Sequence, residues 1–291
     1  MGPLRVTVRR GPAVESVHRV HAVAVLDGRI VESAGDPHLL TFYRSSAKPL
    51  QALPLARERA EATDRELAIA CASHIAEPDQ LAAAASLLAK APATEDDLEC
   101  GPQEGRGPSR LAHNCSGKHA GFLCICLTRG WPTEGYRLPD HPLQQVVLDE
   151  VAAAAEVSRD DVPMAVDGCG VVTFALTLER MAHSFSRLAR LEGGDRVIAA
   201  MVAYPGLVGH EYGAVDTDLM RLRPGWIAKG GAEGLICAAS PDGLGVALKA
   251  EDGAMRGLRP ALATFVGLGD DFGTSGVTNM HGETVGTIKV G

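Results

Sequence analysis

The chain has 291 residues, of which 46% are apolar, with a formal net charge of −8 and seven cysteines. This is enough for one large core or two small ones. The acidic balance, with no basic block, excludes nucleic acid and anionic membrane as natural partners, and no apolar run has the length of a membrane span or the form of a secretion signal. The odd number of thiols in a chain this size points to a reducing, cytoplasmic setting, where each cysteine is buried, reactive or metal-bound.

In HAVAVLDGRIVESAGD two apolar stretches meet at Asp27-Gly28. Asp-Gly tolerates the positive φ angles of a tight turn, which predicts a β-hairpin over 20–34. TFYRSS then leads from the sheet to the first helix. The helical stretch LQALPLARERA is interrupted by Pro54, which should kink or end it. ELAIACASHIAEPDQLAAAASLLAKA reads as a buried helix, a turn over 73–78 and an alanine-rich helix. In HNCSGKHAGFLCICLTRGW, Ser116 is expected to cap a helix from about 117 to 128, and DHPLQQVVLDEVAAAAEV is another helix. VPMAVDGCGVVTFALTLERMAHSFSRLA is expected to begin as a short strand, turn at Gly168 and Gly170 and continue as a helix, and helical patterning persists through DRVIAAMVAYPGLV. Strand patterns return in GWIAKGGAEGLICAASPDGLGVALKAEDG as two apolar segments around Pro-Asp-Gly. A helix near 254–268 and a closing strand in MHGETVGTIKVG complete the chain. No repeat or linker divides it. The order predicts a single α+β domain over 1–291: an antiparallel sheet part from about 1–50 and 222–291, and a mainly helical part over about 51–221.

RSSAKP carries the first chemistry. Ser45 and Lys48, three apart, share one helix face, and Pro49 confines them to a first turn because it has no N–H. One reading is a capped helix, for which Ser46 serves equally well. The other is a serine nucleophile whose proton passes to a neutral lysine, the Ser-x-x-Lys arrangement of penicillin-recognising enzymes. In HNCSGKHAG, Cys115, Lys118 and His119 cluster at a helix start, where a thiolate is stabilised. VDGCGVV places Asp167 and Cys169 in a glycine turn after a strand. Cys71, Cys124, Cys126 and Cys237 lie in apolar stretches and are expected in the core. Lys229 and Lys249 end or follow apolar strands; a lysine facing inward from a sheet edge would lower the pKa of another lysine. Neither Cys-x-x-Cys nor His-Glu-x-x-His is present.

RSSAKP, CASH followed by EP, HNCSGKHAG, VDGCGV, AKGGAEG and ALKAEDGA occur in this order. Together they resemble the L-asparaginase II family of the Rhizobium etli type, over about residues 5 to 262. The resemblance implies a fold like serine β-lactamases and glutaminases, and hydrolysis of L-asparagine to L-aspartate and ammonia by a homodimer. It makes Ser45 the nucleophile, Lys48 its partner, Ser73 a second serine and Lys249 a second lysine near the nucleophile. It assigns zinc to Cys115, Lys118 and Cys169, with Arg44, Asn114, His119 and Asp167 supporting substrate binding. The chain departs from the family pattern at Ile75 and Ala76, where small residues and then glycine are usual. It departs again at Gln80, which replaces a histidine, and at His210, Glu211 and Tyr212, where small residues and an arginine are expected. A glutaminase or other amidohydrolase on the same fold, or a non-catalytic amino-acid-binding relative, are the alternatives.

Overall fold

The structure is a computed structural model and describes residues 1–210 and 213–291, so Glu211 and Tyr212 lie outside it. Four strands open the chain: β1 (Leu4–Arg10), β2 (Ala13–Leu26), β3 (Arg29–Ala34) and β4 (Leu40–Phe42). The β2–β3 connection is the Asp27-Gly28 turn expected from sequence, with φ of 48° and 74°. The helical middle begins with a 3₁₀ turn over Arg44–Ala47, then α1 (Lys48–Gln51), α2 (Leu53–Glu58), α3 (Asp64–Ala70), α4 (Pro78–Ala89), α5 (Ser116–Thr128) and α6 (Pro142–Ala155). The α1–α2 break sits beside Pro54, as the missing N–H demands.

The stretch after the 167–170 turn does not continue as a helix. Strand β5 (Met164–Val166) leads through that turn into strand β6 (Val172–Thr177), and only then does α7 (Leu178–Arg187) begin. Thr177 caps α7 by accepting from Arg180 N–H, and β4, β6 and β5 form a small antiparallel sheet. Helices α8 (Gly194–Ala203), α9 (Pro205–Val208) and α10 (Val215–Leu222) close the middle. Strands β7 (Ile227–Gly231), β8 (Leu235–Ala239) and β9 (Gly245–Ala250) follow, then α11 (Leu258–Val266), α12 (Asp270–Gly273), β10 (Ser275–Thr278) and β11 (Thr284–Val290).

Both chain ends build the main antiparallel sheet, in the order β10-β11-β1-β2-β9-β8-β7, with β3 also paired to β2. Its keystone is the β2–β9 ladder, where Val23 faces Ala247 and Ala22 faces Leu248. The α+β architecture expected from sequence is therefore present. Strands β8 and β9 are buried along almost their whole length, because helices cover both faces. Gly245 is pressed against the Ala182 carbonyl of α7, while Val20, on the opposite face, lies beside Gly257 at the start of α11. Strand β7 is left as a sheet edge, and the functional cavity lies against that edge. No helix among the described residues is long and apolar enough to cross a membrane.

Candidate active site

A cavity of about 570 Å³ lies against β7, lined among others by Ser45, Ser73, Asn114, Asp216 and Lys229, with Arg256 and Arg259 on its wall. That volume suits a small-molecule ligand. Ser45 is placed by rigid neighbours. Tyr43 is fully buried, its N–H donates to the Phe174 carbonyl at 2.7 Å, and its hydroxyl pairs with Ser184 at 2.6 Å. Arg44 then adopts φ +49°, a left-handed conformation costly for a residue with a Cβ. Ser46 does not cap the helix; its hydroxyl donates to the Lys229 carbonyl at 2.8 Å and ties this turn to β7. Gly231 permits the contact, since a Cβ there would stand 2.8 Å from Ser46 Oγ and 3.1 Å from the Tyr43 carbonyl.

Two buried amines serve this cavity. The Lys48 side chain is fully buried, and its Nζ donates to the Ala72 carbonyl and, at 3.1 Å, to Ser73 Oγ. Ser45, three residues before, is joined to Lys48 through the backbone, where Lys48 N–H donates to the Ser45 carbonyl. Ser73 is fixed in turn by its N–H donating to the Val208 carbonyl at 2.9 Å.

The second amine belongs to Lys229 rather than Lys249. Lys229 is 1% exposed, and its Nζ donates to the Gly230 carbonyl at 2.7 Å and lies 3.6 Å from Asp216 Oδ2. Burial pushes its pKa down to about 8, with Lys48 adding to the depression and Asp216 opposing it. Lys249 points elsewhere. It pairs with His21 of β2 and Leu235 of β8 in the middle of the sheet, and its amine donates to the carbonyls of Glu233 and Ala250, both at 2.6 Å. The edge strand, not the inner one, delivers the second lysine.

Behind this pair lies a sulfur cluster. Cys115 occupies the residue before α5, Lys118 its first turn, and Cys169 the turn between β5 and β6. All three are buried, and Lys118 Nζ stands 3.1 Å from Cys169 Sγ. The Cys115 thiol is held well below its usual pKa by hydrogen bonding to Cys169, against burial, with Lys48 and Lys118 assisting. Cys169 is raised by the same hydrogen bond and by burial. Burial opposes charge on Lys118, but Cys169, Cys115 and Asp167 outweigh it and raise its pKa. Ser116 is not a cap: it begins α5, with its hydroxyl donating to the Leu111 carbonyl at 2.8 Å and meeting His74 Nε2 at 2.8 Å.

Of the four expected substrate contacts, only Asn114 lines the cavity. Arg44 Nε and Asp167 Oδ1 are paired with each other at 2.7 Å. His119 is fully buried, with Nδ1 at 2.6 Å from the Tyr136 hydroxyl; burial pushes its pKa down to about 4, so the ring is neutral. Its Nε2 has no hydrogen-bond partner. Cys115, Cys169 and Lys118 bring together two sulfurs and an amine, donor types that zinc accepts. No three His, Cys, Asp or Glu side chains among the described residues could hold a metal by themselves, so such a site depends on the Lys118 amine. Sequence reasoning missed Asp216, and nothing in its local pattern marks it, because its partner lies on another element.

The profile of the family described as L-asparaginase II matches residues 6–288. The chain belongs to the L-asparaginase II family. No curated protein matches it. Among solved structures it is similar to the crystal structure of a β-lactamase from Mycobacterium bovis, at 13% identity and a TM-score of 0.45, over 81% of this chain and 88% of that one.

As an asparaginase II chain it accommodates its unusual residues locally. Ala76, where glycine is expected, adopts φ +66°. Gln80 is buried and fully used: its Oε1 accepts from the N–H groups of Ile75 and Glu77 at 3.0 and 3.1 Å, and its Nε2 donates to the carbonyls of Gly209 and Gly206 at 2.9 and 3.2 Å. It thereby ties the loop after Ser73 to the loop after α9. His210 lines the cavity.

Proposed function

We propose that this chain is an amidohydrolase of the Rhizobium etli type that converts L-asparagine to L-aspartate and ammonia. The observation that carries the reading is that Ser45, Ser73 and the buried Lys229 line one small cavity of an asparaginase II chain, with the buried Lys48 reaching Ser73 from behind it.

Ser45 is the nucleophile. It stands on the cavity wall at the strained start of a helical turn. Its hydroxyl proton passes to the lysine–serine system of Lys48 and Ser73 as Oγ attacks the side-chain amide carbon. A developing oxyanion would need N–H donors at the cavity wall. The C–N bond then breaks, ammonia departs with a proton returned from a lysine, and water hydrolyses the Ser45 ester to release aspartate. A depressed amine pKa such as that of Lys229, about 8, suits proton transfer near neutral pH. Arg256, on the cavity wall with its guanidinium donating to His18 and Ser16, would offer a cation to a substrate carboxylate only if part of it turns from these partners.

Cys115, Lys118 and Cys169 would hold one zinc ion, which would supply a Lewis acid that helps to bind and orient the substrate. Lys118 must then be neutral. The seven free cysteines suit a cytoplasmic enzyme, and a homodimer follows from the family resemblance. Incubating the purified protein with asparagine, glutamine and nitrocefin tests the reading. Ammonia from asparagine, faster than from glutamine and with no nitrocefin colour, is expected. Turnover of glutamine alone would transfer the assignment to a glutaminase, and no turnover of any would refute it.

A further inference from the structure

We propose that Asp216 is the positioning residue of this site, its carboxylate holding the Lys229 amine at the cavity wall. The proposal rests on the role given above to the Ser–Lys pairs. Asp216 is 7% exposed and belongs to the first turn of α10. Its Oδ2 accepts from the Gly230 N–H at 3.0 Å and lies 3.6 Å from Lys229 Nζ, while Oδ1 accepts from the Thr217 N–H at 3.0 Å. Two backbone donors thus fix the carboxylate independently of the amine, as a support requires. Glycine at 209 makes room, because a Cβ there would stand 2.6 Å from Asp216 Oδ1. The turn itself is anchored by the Thr217 hydroxyl, which donates to the Pro205 carbonyl at 2.9 Å. Donation from Gly230 also ties α10 to the edge strand that carries the lysine.

The charged and titratable groups facing Lys229 are Asp216 from α10, Lys48 from α1, Cys115 from the start of α5 and Cys71 from the end of α3. Asp216 is the carboxylate among them. Burial and Lys48 both favour the neutral amine, and Asp216 counters them. Removing its charge therefore moves the ionisation of Lys229 to lower pH.

The test compares the full-length protein with Asp216→Asn and Asp216→Glu. The pH dependence of kcat/KM for asparagine is measured from pH 6 to 10, and the Lys229 ammonium is titrated by NMR of lysine-labelled protein, assigned with Lys229→Met. Asp216→Asn should move the Lys229 titration and the matching limb of the pH profile down by at least one unit. It should also lower kcat about tenfold, with KM changed less than threefold, and Asp216→Glu should restore most of the parent profile. Unchanged titration and an unchanged profile shape, even with a uniform loss of activity, would overturn the proposal and leave Asp216 as a backbone support. If Asp216→Asn does not fold, Asp216→Ser takes its place: the same downward shift of the Lys229 titration is expected, and an unchanged titration overturns the proposal. A parent with no turnover would sink the functional reading, while the NMR arm would still decide the role of Asp216.

Discussion

Replacing Lys229 by methionine turns its strained ionisation into a measurable stability. The lysine is buried and its pKa is depressed from 10.5 to about 8. At 1.36 kcal/mol per unit, that depression destabilises the folded parent by about 3 kcal/mol while the group must be charged. The sign follows from proton counting. Between pH 8 and 10.5 the unfolded lysine binds a proton that the folded one has released, so the stability of the parent rises with pH. The penalty is full below pH 8 and has largely gone by pH 10. The Lys229→Met variant lacks this contribution, and any constant effect of leaving Asp216 without its partner is the same at every pH. The parent should therefore gain about 2.5 kcal/mol relative to the variant between pH 7 and pH 10. Urea denaturation at half-unit pH intervals, with the same slope on denaturant for both proteins, measures this difference. Parallel stability curves would refute the idea that Lys229 is held with a depressed pKa.

Ala76→Gly should stabilise the protein by about 1 kcal/mol, because Ala76 adopts φ +66° where glycine carries no Cβ penalty; a lower thermal midpoint would contradict this. Gln80→Ala strands the Ile75 and Glu77 N–H groups and two glycine carbonyls, and should cost about 2 to 3 kcal/mol by urea denaturation. A loss below about 0.5 kcal/mol would show that these groups find other partners. Cys169→Ser should lose bound zinc by elemental analysis and raise KM for asparagine, with kcat falling less. Equal activity and less than about a tenth of an equivalent of metal in the parent would leave Cys115, Lys118 and Cys169 as packing residues.

Local chemistry made part of this legible. The Asp27-Gly28 hairpin, the break near Pro54, and the helices at α4, α5 and α6 follow from turn propensity, proline geometry and apolar composition. Strand β6 did not, since a short continuous apolar run such as Val172–Thr177 fits a buried strand and a buried helix equally well. The 227–250 region yielded two segments rather than three strands because the turn after Gly231 carries no strong hairpin dipeptide. The exchange of Lys249 for Lys229 has a longer-range cause. Both lysines follow apolar runs, and which one faces the cavity depends on β9 pairing with β2, more than 200 residues away, which leaves β7 at the edge. Ser45, Ser73 and Asn114, singled out with their motifs, line the cavity, whereas Arg44 and Asp167 pair with each other and His119 meets Tyr136 instead of facing it.

The central claim, a serine amidohydrolase acting through Ser45, is tested most directly by ammonia release from asparagine with the parent, Ser45→Ala and Ser73→Ala, each verified as folded by circular dichroism. The account predicts steady release by the parent and a loss of roughly 10³-fold or more for Ser45→Ala with its fold intact. Ser45→Ala retaining most of the parent rate while Ser73→Ala is inactive would contradict it and make Ser73 the nucleophile.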